Sequence, residues 1–290
     1  MAQVTAQMVK QLREMTGTGM MECKKALVEA DGDMDAAVDI LRKNGLAAAA
    51  KKAGRATNEG AIGAFVSADS KAGALVELSC ETDFVASNPK FTEFACKLAQ
   101  AVVENGYADV DALMAGTVDG EPTEAALTEM VHVIGENMKV SRLVARTVEN
   151  GGVSTYLHMG GKIGVLAEFA FDKAETAEND AFKTFAHDVA MQIAATAPTA
   201  AVREDVPQET IDHEMAIYKE QAAESGKPEA IQEKMATGRL EKYFKQFVLV
   251  EQEFVKDSSM TVSAYAEQTS KACGDTIKVT GFDRLMRGEN

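Results

Sequence analysis

The sequence predicts an α+β protein made of a short all-helical unit, two related sheet-and-helix units and an inserted helical hairpin. Three observations predict it. Residues 1–45 place apolar side chains at helical spacing between capping residues and glycines. The middle of the chain matches itself when shifted by 91 positions. Residues 209–247 are charged and helical in pattern, interrupted once by Ser225-Gly226-Lys227-Pro228.

Residues 1–45 read as three short helices. Thr5 caps the first, with Met8, Val9, Leu12 and Met15 inward, and Gly17 ends it because glycine takes the left-handed conformation freely. The second buries Cys23, Ala26, Leu27 and Ala30 and stops at Gly32. Asp33 caps the third, with Met34, Ala37, Val38 and Leu41 inward and Gly45 at its end. Residues 46–53 read as a short separate helix, and 54–60 as a linker.

Two strand-like runs follow, residues 61–66 and 74–80, and then a loop over 81–87. Asn88 caps a helix with Pro89 at its first position, where a missing N–H costs nothing. Phe91, Phe94, Ala95, Leu98 and Val102 fall on one face of that helix. Shifted by 91, Lys71, Gly73, Leu75 and Glu77 fall on Lys162, Gly164, Leu166 and Glu168. Asn88, Phe91, Phe94, Ala95 and Ala99 fall on Asn179, Phe182, Phe185, Ala186 and Ala190. Self-similarity at a fixed shift marks a duplicated structural unit. The second copy shows the clearer hairpin, 153–159 and 162–169 joined by Gly160-Gly161. Between the copies, residues 124–137 read as a helix with Leu127, Met130, Val131 and Ile134 inward.

Past Pro207, residues 209–224 and 229–247 read as two helices joined by the Gly-Pro turn, a hairpin projecting from the body. Its apolar positions Ile217, Ile231 and Met235 are expected to pack between the two helices. Residues 247–255 read as strand, 262–273 as helix and 276–282 as a final strand returning to the second copy. The division is 1–54, 55–150, 151–206, 207–246 and 247–290.

Composition excludes several classes. A net charge of -15 argues against a nucleic-acid binder, since phosphate neutralisation needs excess Lys and Arg. The N-terminal Met1-Ala2-Gln3-Val4-Thr5 leads into a polar helix and lacks the basic and apolar regions of a secretory signal. No apolar run is long enough to span a bilayer. The four cysteines, Cys23, Cys80, Cys96 and Cys273, form no C-x-x-C and read as reduced cytosolic thiols, which gives a cytoplasmic expectation. No phosphate loop or dinucleotide fingerprint is present, since Gly161-Lys162 runs into Ile163. His132, His158, His187 and His213 form no zinc motif. The expectation is no cofactor, no metal site and no catalytic group.

Two features stand out. Where the first copy has Thr82-Asp83-Phe84-Val85 between strand and helix, the second has Lys173-Ala174-Glu175-Thr176. Either Phe84 tucks onto its own helix and Asp83 shapes the turn, or the tip inserts into a partner. Met20 and Met21 pose a similar choice. Adjacent helical residues point about 100° apart, so one is expected to reach the small core. The other is left as an adaptable contact.

The run Thr16-Gly17-Thr18-Gly19-Met20-Met21-Glu22-Cys23-Lys24-Lys25-Ala26-Leu27 resembles the elongation factor Ts signature T-G-x-G-M-M-x-C-K-K-A-L. Glu81-Thr82-Asp83-Phe84-Val85 resembles the second signature of that family. Lys162-Ile163-Gly164-Val165-Leu166 and Ser225-Gly226-Lys227-Pro228 are similar to further family stretches. The resemblance spans residues 1–282. Residues 283–290 depart from it, and the further C-terminal helical module common in the family is expected to be missing, with the contacts it supplies.

The resemblance implies roles. It implies a ubiquitin-associated-like N-terminal unit that docks on the nucleotide domain of the GTPase elongation factor Tu, with Leu12, Met20, Met21 and Lys24 as contacts. It implies that Thr82, Asp83, Phe84 and Val85 dislodge Mg²⁺ from the partner's nucleotide site. Ile134, Gly135 and His158 are implied as further partner contacts, the unit carrying His158 facing the partner's third domain. The helical hairpin is implied as a coiled coil able to mediate a homodimer. The function so implied is guanine-nucleotide exchange without catalysis. The alternative is an adaptor that holds other proteins without exchange.

Overall fold

The computed structural model describes residues 4–289. The reading of Met1-Ala2-Gln3 as part of a signal-free N-terminus lies outside the described residues.

Three helices open the chain: α1 (Ala6–Thr16), α2 (Met20–Glu29) and α3 (Met34–Lys52). The Thr5 hydroxyl accepts the Met8 N–H, the Asp33 carboxylate accepts that of Ala36, and Gly17 ends α1 in the left-handed region. Val9, Leu12, Cys23, Ala26, Leu27, Ala37 and Leu41 form the core. Two expectations fail here. Met15 is exposed rather than inward. And α3 does not stop at Gly45 but continues to Lys52, absorbing the separate helix expected at 46–53. Gly45 is there for packing: a Cβ would sit 3.3 Å from the ring of His132. The glycine lets a second helix approach instead of ending its own.

The first sheet-and-helix unit follows. Strands β1 (Glu59–Val66) and β2 (Ala72–Cys80) pair antiparallel. The expected loop at 81–87 contains a single helical turn, α4 (Asp83–Ala86). Helix α5 (Pro89–Asn105) buries Phe91, Phe94, Ala95, Leu98 and Val102 as its periodicity predicts. Each of its large side chains contributes about 1.5–3 kcal/mol of apolar burial. Then come α6 (Val110–Ala115), a minimal hairpin of β3 (Thr117–Val118) and β4 (Glu121–Pro122), helix α7 (Thr123–Ile134) and strand β5 (Met138–Thr147). The sequence reading contained neither α6 nor β5. β5 completes the sheet in the order β1-β2-β5.

The second unit repeats the plan with β6 (Gly152–His158), β7 (Ile163–Ala170) and helix α8 (Asp180–Thr196). The hairpin helices are α9 (Gln208–Ala223) and α10 (Glu229–Phe247). Short strands β8 (Glu253–Phe254) and β9 (Asp257–Thr261), helix α11 (Val262–Cys273) and strand β10 (Lys278–Met286) close the chain. β10 pairs with β7, giving the sheet order β10-β7-β6. The final strand thus returns to the second unit, and runs four residues beyond the expected end at 282.

Of the strand expected at 247–255, only Glu253–Phe254 is strand. Val248 makes a single parallel bridge to Ala200, and residues 249–251 form a 3-10 turn. Val248 and Leu249 are fully buried, so that run is apolar because it lies beneath other elements, not because it pairs. In the hairpin, Ala222, Ala236 and Leu240 are buried, and Ile217 and Met235 are half-buried. Ile231, expected between the helices, is exposed near the tip.

Some of the residues that repeat join the two units, while Phe91, Phe94, Ala95 and Ala99 and their counterparts fill each unit's own core. Ile62, Leu75, Val153, Leu166 and Leu285 form one cluster between the sheets. A Cβ on Gly73 would come within 2.8 Å of Leu166, and one on Gly164 within 2.5 Å of Ile62. Both glycines therefore allow close sheet-to-sheet approach. Arg142, paired with Glu77 at 2.5 Å, donates to the Met286 carbonyl of the second unit. Glu168 pairs with Arg146 at 2.9 Å, and Arg146 reaches Asp283 at 2.5 Å. These contacts make the two units one platform.

Candidate functional site

The Thr82–Val85 segment sits where β2 ends, and its side chains divide by environment. Val85 is 9% exposed and belongs to the first unit's core, as does Ala86. Thr82 caps the turn, its hydroxyl accepting the Val85 N–H at 3.4 Å. Asp83 is exposed, and Phe84 is 84% exposed. Of the two readings left open by the sequence, Phe84 tucking onto its own helix is overturned. A one-turn helix cannot cover its own outward ring while Val85 takes the inward position. Val85 is correspondingly a core anchor, and its side chain is not presented for contact.

The turn is held from the end of α7. Glu136 Oε2 accepts the backbone N–H groups of Glu81 at 3.1 Å and Thr82 at 3.0 Å, and Oε1 accepts the Thr82 hydroxyl at 2.6 Å. In return Glu81 accepts the Asn137 N–H at 2.6 Å and pairs with Arg55 at 3.3 Å. The Asn137 N–H, with Arg55 adding to it, holds the Glu81 carboxyl below its usual range. Cys80 lies beside this clasp and donates to the Thr82 carbonyl at 3.2 Å. Burial pushes its thiol up to about 12, which leaves it unreactive.

Ile134 and Gly135 sit immediately before Glu136. Ile134 is half-buried against the first core, and Gly135 is exposed in the left-handed region that ends α7. The structure thus brings these two predicted residues next to the clasp that holds Thr82. Nothing in local pattern linked them, because the contact spans 54 residues of chain. Glu136 itself was not among the residues singled out from sequence. Its only local signal is an acid following a helix-ending glycine.

The helical unit rests on the same helix. His132 packs on Gly45 and lies 3.7 Å from Glu22; Val133 faces Gly17; Lys52 donates to the Val131 carbonyl at 3.4 Å. Met20 and Met21 are 57% and 66% exposed. The expectation that one of them reaches the core fails, because Cys23, Ala26 and Leu27 already fill the inward face of α2. Lys24 is exposed on the same helix. Leu12, expected as a contact, is fully buried among the three helices. It is core, and its part in any docking is to support α2 from beneath.

His158 lies at the far end of β6, exposed, with Tyr156 Oη 3.1 Å from its Nδ1. Exposed Leu157 and Met159 flank it. The adjoining turn docks on the first unit, where Gly161 O accepts the Ile62 N–H at 2.8 Å. Among the described residues, no group of three or more His, Cys, Asp or Glu could hold a metal ion, and no helix is long and apolar enough to cross a membrane. The four cysteines are free.

These features are an apolar tip on a turn clasped from just past α7 and a methionine-bearing helical unit that rests on α7. They suit docking on another protein. The family model described as elongation factor TS matches residues 81–289. The match includes 283–289, where the sequence reading ended the resemblance. Elongation factor Ts of Clostridium botulinum (strain Alaska E43 / Type E3) is 47% identical over 287 residues, covering 99% of this chain and 93% of that protein. Elongation factor Ts of Nitratidesulfovibrio vulgaris (strain DP4) is 47% identical over 288 residues, with 99% and 96% covered. That of Trichlorobacter lovleyi is 45% identical over 289 residues, with 99% and 93% covered. With both signature segments in place and the matches running nearly end to end, the chain belongs to the elongation factor Ts family of translation elongation factors.

Proposed function

We propose that this chain is a non-catalytic guanine-nucleotide exchange factor that binds elongation factor Tu carrying GDP, dislodges its Mg²⁺ and so speeds GDP release, after which GTP binds. The physical basis is charge. A bound Mg²⁺ bridges protein and phosphate oxygens and offsets phosphate charge, so its loss weakens nucleotide binding. The exchange factor need not touch the phosphates. It needs only higher affinity for the partner conformation in which the Mg²⁺ site is spoiled. By linkage, the factor by which it lowers GDP affinity is the factor by which GDP lowers its own.

Residues 1–54 dock on the nucleotide domain through Met20, Met21 and Lys24. Asp83 and Phe84 form the intruding tip, held by Thr82 and Val85. Ile134 and Gly135 line the partner-facing side beside the tip, and His158 contacts the partner from the second unit. The hairpin offers a self-association surface for a homodimer. The protein acts in the cytoplasm and uses neither nucleic acid nor membrane. The observation that carries this reading is Phe84, 84% exposed in a turn held by Thr82, Val85 and Ala86. A holding adaptor has no use for such a tip.

The test is release of labelled GDP from elongation factor Tu with and without this protein. Acceleration by the natural chain, reduced at least about tenfold by Phe84→Ala through loss of a buried aromatic contact worth roughly 2 kcal/mol, is the expected result. Binding without acceleration would favour the adaptor.

A further inference from the structure

We propose that Glu136 is the positioning residue of the exchange tip, its carboxylate fixing the one orientation in which Asp83 and Phe84 are presented. This rests on the exchange reading above and goes one step further, to the residue that makes the tip rigid.

The inner side of the tip is anchored by burial of Val85 and Ala86. Its outer side has no such anchor, because Asp83 and Phe84 stand in solvent. An isolated helical turn of four residues is not stable by itself, since nucleation fixes several dihedrals for one hydrogen bond. What fixes the entry to this turn is the Glu136 carboxylate, with both oxygens engaged on Glu81 and Thr82. Glu136 follows directly on α7, the helix on which the helical unit bearing Met20 and Met21 also rests. The helical unit and the tip are therefore held from α7 and the residues just past it.

The duplicated unit supplies an internal comparison. There Asp275, just ahead of β10, accepts the N–H groups of Asp172 at 3.3 Å and Lys173 at 2.9 Å and the Thr176 hydroxyl at 2.6 Å. Asp172 and Lys173 are the repeat counterparts of Glu81 and Thr82. The clasp is thus inherited scaffold, whereas what it holds differs. In the second copy the position of Phe84 is taken by Glu175, which is exposed. A clasp that served stability alone would matter equally in both copies. One that serves exchange matters in the first.

The experiment measures GDP release from elongation factor Tu against exchange-factor concentration for Glu136→Ala, Glu136→Gln, Asp275→Ala and Phe84→Ala, with circular dichroism on each. A tip that spends only a fraction of its time in the competent orientation acts in proportion to that fraction. Glu136→Ala is expected to lower the maximal release rate at least about tenfold, while half-saturation, set by the docking faces, moves less than about threefold. Glu136→Gln keeps a carbonyl oxygen for the two backbone N–H groups and an amide N–H for Thr82 Oγ1, so it is expected to stay within about threefold of the natural chain. Asp275→Ala is expected to leave the maximal rate within about threefold as well.

An unchanged maximal rate in folded Glu136→Ala would overturn the proposal. So would an equal loss in Asp275→Ala, which would mean general loosening, or an equal loss in Glu136→Gln, which would assign the effect to charge. If Glu136→Ala does not fold, Thr82→Val decides, because it removes only the 2.6 Å hydroxyl bond and the cap. An unchanged rate there also rejects the proposal. If Phe84→Ala leaves release unchanged, the exchange-tip reading fails. If Phe84→Ala slows release and Glu136→Ala does not, only the positioning role fails.

Discussion

Asn88 and Asn179 hold the same place in the two copies of the repeat, each side chain accepting the backbone N–H two residues ahead at 2.9 Å. Each caps the helix that covers its sheet, α5 in one unit and α8 in the other. Replacing an Asn cap by Ala typically costs about 1 kcal/mol. Asn88→Ala and Asn179→Ala are therefore expected to destabilise the protein by similar amounts, measured by urea unfolding. Only Asn88→Ala, two residues past the core anchor Ala86, is expected to slow nucleotide exchange as well.

Leu12 and the Met20–Met21 pair separate core from contact on one small unit. Leu12→Ala empties a fully buried site and is expected to cost about 2–5 kcal/mol. That is enough to melt a three-helix unit of this size, seen as early loss of helicity on heating. Met20→Ala with Met21→Ala removes exposed side chains and is expected to leave the thermal midpoint unchanged. Dissociation from elongation factor Tu becomes faster, since interface mutations act mainly on that rate. Early melting of the double methionine variant would place those residues in the core after all.

The hairpin is expected to be dispensable for exchange if its base is kept. That base is a cluster of Ala200, Val206, Leu240, Phe244 and Val248. Arg203 braces it, lying over the Phe244 ring at 4.3 Å and pairing with Glu241 at 2.6 Å and with Glu251. Replacing residues 219–237 with a short Gly/Ser linker leaves all of these in place. The variant is expected to release GDP at the natural rate, and any dimer formed through the hairpin becomes a monomer on size-exclusion chromatography. A folded truncation that no longer speeds release would make the hairpin part of the mechanism.

Asp275 predicts an acid-sensitive second unit. The Thr176 hydroxyl, with the N–H groups of Lys173, Thr276 and Asp172, holds its carboxyl down to about 2. A carboxyl depressed in the folded state adds stability above its unfolded value. That stability fades as pH falls through the folded one. The window here runs from the ordinary carboxylate range near 3.8 down to about 2. Asp275→Asn is expected to lower stability at neutral pH, with the gap from the natural chain closing across that window. Denaturant unfolding at a series of pH values measures it, and a gap independent of pH would contradict the assigned cause.

Much of the fold was legible because its determinants are local. The caps at Thr5, Asp33 and Asn88 and the period of Phe91, Phe94 and Leu98 mark helices wherever those segments pack. The duplication announced itself because Gly73 and Gly164, Leu75 and Leu166 are constrained by the joint between the units. The elements misread were those whose role is set from outside. Gly45 looked like a helix end until His132 was found against it. Residues 247–252 looked like strand because burial beneath other elements selects the same apolar residues as pairing does. β5 was missed, although its ladder with β2 completes the first sheet.

The same division holds at the site. Local pattern alone shows a helical unit, a duplicated α+β body and a charged hairpin, and a Phe-bearing segment in one copy that the other lacks. Side-chain spacing and local capping energies act within a few residues, and a sequence displays them directly. Long-range packing is what leaves Phe84 in solvent while Val85 and Leu12 are core. It alone brought Glu136 to Thr82, and the helical unit onto α7. Those outcomes depend on which surfaces meet across long stretches of chain, where burial and hydrogen-bond satisfaction are settled jointly by many residues.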